Sequence, residues 1–152
     1  MATKGSWMGV YGGDGFQTLD DATNDPAYVT MTPAGVVDYT WDGGSTDIRA
    51  LERAAGAGRL AATWYGPTFS IDLNFTDGAT HAVAFYIVDW DSFNRTERFD
   101  IRDAVRGTIL DSRTATRICE RSVLAMDVPG PRDSAGHANR RWWRSGRQRR
   151  VF

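Results

Sequence analysis

The residues best placed by type and spacing to do chemistry lie between positions 89 and 95, where Asp89 and Asp91 flank Trp90 and precede Asn94 and Arg95. Carboxylates at i and i+2 of an extended segment share a face, so both could meet a calcium ion or a sugar hydroxyl. The same residues also describe a strand-end turn, in which each Asp bonds backbone amides and pairs with Arg95 or Arg98. As an acid and base for glycoside cleavage the pair is poor, because nothing in the surrounding sequence removes one carboxyl from water. The expectation is a chain without catalytic residues or a required cofactor, with Asp89 and Asp91 as a weak Ca²⁺ candidate.

A second constellation is aromatic: Trp7, Tyr11, Phe16, Trp41, Trp64, Tyr65 and Trp90. Sugars present flat C–H faces, so an exposed ring beside Asp, Asn or Arg has the chemistry of a carbohydrate site. Most of these rings must fill a core, and Trp64, Tyr65 and Trp90 are the ones favoured for exposure. Together with Asp89, Asp91 and Arg95 they form the expected ligand-binding set. Gly12-Gly13-Asp14-Gly15 lacks the following helix and Lys-Ser/Thr of a phosphate-cradling loop and reads as a turn. His81 and His137 are isolated in sequence, and His81 most simply begins a strand. The single cysteine, Cys119, excludes a disulfide within the chain and a zinc site built on several cysteines.

Those side chains need a scaffold, and 152 residues suffice for one domain with a real core. The run 69–75 alternates apolar Phe69, Ile71, Leu73 and Phe75 with polar partners, the period of a strand with one buried face. It ends at Asp77-Gly78, a hairpin signal. From His81 to Trp90 both parities are apolar, which predicts a strand buried on both faces. Further strands are expected at 7–11, 27–32, 36–41, 60–65, 97–102 and 108–113, separated by Gly- and Pro-containing turns. The stretch 46–55, followed by Gly56-Ala57-Gly58, reads as one turn or a loop. Short strands at this spacing predict an all-β fold, an antiparallel β-sandwich of jelly-roll type.

The net charge of −1 hides two unlike regions. Residues 1–115 carry 9 basic and 16 acidic groups, net −7, whereas 116–152 carry 9 and 3, net +6. No apolar run is long enough to span a membrane, and the first residues, Met1 to Gly5, lack the apolar stretch of a signal peptide. As written, the chain would stay in the cytoplasm unless it was cut from a larger secreted chain.

The segments Gly5-Ser6-Trp7-Met8-Gly9-Val10-Tyr11, Tyr39-Thr40-Trp41, Asp47-Ile48-Arg49-Ala50-Leu51, Leu60-Ala61-Ala62-Thr63-Trp64-Tyr65 and His81 through Asp91 together resemble a bacterial extracellular accessory module. That module is a β-sandwich similar in kind to galactose-binding-like jelly rolls, and the resemblance covers about residues 5–114. It implies a carbohydrate-binding-like domain, no catalytic residues, and an extracellular location, monomeric within a larger parent chain. The resemblance also implies three more strands after Thr114, where this chain instead shows Arg140-Arg141-Trp142-Trp143-Arg144 and Arg147-Gln148-Arg149-Arg150. A base gained or lost near codons 115–117 accounts for this. Read one base on, Met126 becomes Trp and Trp142-Trp143 become Gly-Gly, each where the module needs it. The expected organisation is thus an incomplete sandwich over 1–115 and a basic, frameshifted, poorly ordered tail over 116–152. Two other readings stand beside a glycan-binding module: a spacer or adhesion repeat without a ligand, and nucleic-acid binding through a genuine basic tail.

Overall fold

The computed structural model describes residues 4–92, 95–116, 118, 122–128 and 141–146. The chain is all-β, and its strands pair antiparallel as a sandwich. In chain order they are β1 (Phe16–Gln17), β2 (Thr23–Asn24), β3 (Val29–Ala34), β4 (Val37–Ser45), β5 (Leu51–Glu52) and β6 (Arg59–Tyr65). β7 (Ser70–Phe75), β8 (His81–Ile87), β9 (Thr96–Asp103), β10 (Ile109–Thr116), β11 (Ser122–Val128) and β12 (Arg141–Gly146) follow. Among the described residues no helix is long and apolar enough to cross a membrane.

One layer is a five-stranded sheet in the order β10-β9-β12-β7-β3. Facing it are the pair β11-β8 and the three-stranded sheet β4-β6-β5. The alternation along β7 sets its orientation: Ile71, Leu73 and Phe75 are buried, while Ser70, Asp72 and Asn74 are half-buried on the other face. Phe99 and Ile101 of β9 meet them from the same sheet, and Phe85 and Ile87 of β8 with Met126 and Val128 of β11 close over them. Each such side chain contributes about 1.5–3 kcal/mol when taken out of water.

Three sequence expectations change in the structure. Residues 7–11 form a turn rather than a strand: the amides of Val10 and Tyr11 both donate to the Trp7 carbonyl, and Gly9 between them sits at φ +80°. β8 stops at Ile87, and its outward residues Ala82 and Ala84 are exposed, because no layer among the described residues covers that face at its first half. The hairpin expected at Asp77-Gly78 does not form: that turn leads from β7, paired with β3 and β12, across to β8 in the facing layer, paired with β11. Beyond β10 the chain supplies two further strands. β11 pairs with β8 from Ser122↔Ile87 to Val128↔His81, and β12 lies between β7 and β9. Alternation explains the first, since Leu124, Met126 and Val128 share the core-facing parity.

Candidate functional site

Alternation on β4 and β6 decides which rings face outward. Tyr39 sits opposite Thr63, and Val37 opposite Tyr65, so Tyr39 and Tyr65 are diagonal neighbours on one face. Their rings meet edge to face, with centroids 6.2 Å apart and planes at 89°. Between Thr40 and Asp42 the register shifts, and Trp41 is the extra residue of that bulge. The bulge keeps Trp41 beside Tyr39, with centroids 5.5 Å apart, and brings it to 6.3 Å from Trp90 at an interplanar angle of 29°. The four rings form one continuous surface. Tyr39 is its most open member at 46% exposure, and the other three are half-buried.

Arg49 borders this surface. Its guanidinium carbon lies 4.6 Å from the Trp90 ring centroid, a cation–π contact. Asp47 holds it in place: Nε lies 3.0 Å from Oδ2 and Nη2 2.8 Å from the same oxygen, while the Arg49 amide donates to Oδ1 at 2.8 Å. The hydrogen bond that Arg49 donates to Asp47 raises the Arg49 pKa above its ordinary value, so the guanidinium is a fixed cation. From beneath, the Tyr86 hydroxyl donates to the Arg49 carbonyl at 2.8 Å, which ties this loop to β8. The arrangement presents flat rings beside a rigid donor fork and a carboxylate.

Of the ligand-binding residues expected from sequence, Tyr65 and Trp90 join this surface. Trp64, one residue before Tyr65 and of opposite parity, packs against the hydrophobic core instead. Asp89 is 1% exposed. Its carboxylate accepts from the Ser92 amide at 3.0 Å, the Ser92 hydroxyl at 2.8 Å and the Arg95 amide at 3.3 Å, and it pairs with the Arg95 guanidinium. Asp91 reaches the same Arg95 Nη1 at 2.6 Å. Both carboxylates lie past the end of β8, and what gathers them is Arg95 rather than a shared strand face. Among the described residues no group of three or more His, Cys, Asp or Glu could hold a metal ion. Asn94 falls outside the described residues, as do His137 and Cys119.

Sequence reasoning missed Tyr39, Asp47 and Arg49 as site members and did not favour Trp41 among the rings expected to be exposed. Tyr39 was readable, since it shares strand parity with Trp41. Asp47 and Arg49 carry no such signal, because only the turn at 47–50 folds one back onto the other.

Next to the Asp89 cluster, Glu97 points inward from β9 at 2% exposure, and its Oε2 has no hydrogen-bond partner among the described residues. Burial, and after it the neighbouring Asp89 charge, pushes its pKa up to about 8 against the pull of Arg95. At the other end of β8, His81 is stacked between Tyr28 and Phe75, with centroids at 4.4 and 4.7 Å, and its Nε2 lies 3.0 Å from both oxygens of Asp77. That hydrogen bond, with one from the Ala79 amide, holds Asp77 below the usual carboxylate range.

Comparison with protein-family models, curated proteins and solved structures finds no match to this chain.

Proposed function

We propose that this chain is a non-catalytic carbohydrate-binding module, of galactose-binding-like jelly-roll type and part of a secreted bacterial protein. The observation that carries the reading is the outward surface of Tyr39, Trp41, Tyr65 and Trp90 beside the Asp47–Arg49 pair. A pyranose laid on Tyr39 and Trp41 would bury its C–H face while its hydroxyls meet the guanidinium fork and carboxylate. The carboxyl groups elsewhere support binding without chemistry. Asp89 and Asp91 are engaged by Arg95, and Glu97, the one carboxyl among the described residues with a raised pKa, is enclosed away from solvent.

Affinity electrophoresis in gels containing soluble polysaccharides tests the reading. Retardation is expected on at least one polysaccharide. Tyr39→Ala or Trp41→Ala should weaken it by roughly tenfold, the loss of one stacked ring with its buried area. Unchanged melting temperatures would show that the fold survives. Retardation that persists in both variants, or that appears on no polysaccharide, would rule out this surface. The proposed change of reading frame is tested separately by sequencing the coding DNA across codons 112–120, where an intact frame refutes it.

A further inference from the structure

A second site lies against residues 81–86 of β8. Between β8, β7, β6 and the N-terminal turn is an open-mouthed cavity of about 510 Å³. That is within the range of small-ligand pockets. Its floor is apolar core surface: Leu73 and Phe75 of β7, Met31 of β3 and Val83 of β8. Among the described residues β8 is paired on one edge only, to β11, and β6 is paired on its far side for only two residues, Leu51↔Leu60 and Glu52↔Arg59. Neither sheet reaches the other, and the space between them stays open as far as the exposed Ala82 and Ala84.

The charge of the lining is one-sided. Four carboxylates line the cavity, Asp14, Asp21, Asp25 and Glu52, and among the described residues no lysine or arginine does. Two of the four are neutralised by groups behind the wall. Asp21 accepts from the Ala54 amide at 2.6 Å and pairs with Arg53, and Glu52 pairs with Arg59 at 3.2 Å. Asp14 and Asp25 are exposed, and among the described residues Asp25 accepts only from the neutral Gln17 amide, at 2.7 Å. The aromatic residues Trp7, Phe16, Tyr28 and Phe85 also line the cavity. An anionic ligand would meet uncompensated repulsion here, whereas a cation gains from both carboxylates and rings.

We infer that this cavity binds a small cationic amphiphile, an ammonium group at Asp14 and Asp25 with an apolar tail on the Leu73–Phe75 floor. The site is separate from the aromatic surface proposed for sugars and stands or falls independently of it.

The test uses n-octylammonium, n-octanol and n-octanoate, titrated below micelle-forming concentrations and followed by calorimetry and by the fluorescence of Trp7 and Trp64, which line the cavity. Octylammonium is expected to bind, octanol to bind about tenfold more weakly, and octanoate not to bind. Asp14→Asn with Asp25→Asn should bring octylammonium to the level of octanol, a loss of about tenfold from two exposed charges. Ala84→Trp, which fills the cavity from an exposed position, should abolish binding while cooperative unfolding is kept. Tyr39→Ala should leave amine binding unchanged, which separates this site from the sugar surface. Equal affinity for octylammonium and octanoate, binding unaltered in Ala84→Trp, or no binding of octylammonium would each overturn the inference.

Discussion

Glu97→Gln should make the protein more stable at neutral and alkaline pH and leave it little changed in acid. The side chain is 2% exposed, and its pKa is raised from 4.5 to about 8, chiefly by burial. Folding therefore holds a proton that the unfolded chain releases above its ordinary carboxyl pKa. Stability falls as pH rises from 4.5 to about 8, then levels off once both states are ionised. The difference amounts to about 3 kcal/mol at neutral pH and on the order of 5 kcal/mol above the folded pKa. Glutamine has the same shape and no charge, so the variant should lose this slope. Urea denaturation followed by tryptophan fluorescence, at about pH 4.5, 7 and 9, measures it without screening the charges. The expected gain of the variant over the parent is within about 1 kcal/mol in acid, rising to about 3 and then about 5 kcal/mol. A gain or loss that is the same at all three pH values would refute the claim that burial of an ionisable group at Glu97 limits stability. The depressed carboxyls do not mimic this trend. For Asp100, hydrogen bonds from Ser112, Arg98 and Arg102 outweigh the opposing effect of burial, and Asp77 is held down by His81. Their contributions are present above the unfolded carboxyl pKa and are lost only as pH falls below it.

Two other substitutions test the structural account. Asp89→Ala removes the acceptor shared by Ser92 and Arg95 and leaves a guanidinium that is only 15% exposed facing Glu97 and Asp91 alone, so a loss of about 3–5 kcal/mol is expected by urea denaturation. Gly5 sits at φ +76°, where a Cβ would lie 2.1 Å from the Ala50 carbonyl oxygen, whereas Gly78 at φ +71° faces open space. Gly78→Ala should cost about 1–2 kcal/mol, the strain of the left-handed backbone alone, and Gly5→Ala clearly more. Equal melting temperatures for the two variants would show that the approach of Gly5 to Ala50 is not tight.

Much of the scaffold was legible because burial imposes a period. Ile71, Leu73 and Phe75 announce a one-sided strand, and the same period in Leu124, Met126 and Val128 lies beyond the charge change that suggested a tail. The turn reading of Asp89 was also local, since Ser92 and Arg95 lie three and six residues away. What misled was apolarity without a partner. Ala82 and Ala84 look like core residues in a list of side chains, but burial also needs a layer to cover them, and none among the described residues stands over that half of β8.

The sequence by itself therefore determined the strand periods and the all-β class, and it offered the local ties of the Asp89 turn as one of two readings. Each depends on residues a few positions apart. Only the tertiary structure decided that Trp64 packs inward while Tyr65 faces out with Tyr39, Trp41 and Trp90, and that Arg49 lies over Trp90. It also decided that Glu97 Oε2 is buried with no hydrogen-bond partner among the described residues and that β6 and β8 stand apart around a cavity. These outcomes depend on which sheet meets which across 24 to 49 positions of chain, the separations of Tyr65 from Trp41 and of Trp90 from Trp41. Pairings at that range are set by packing of whole layers, which no short window of side chains encodes.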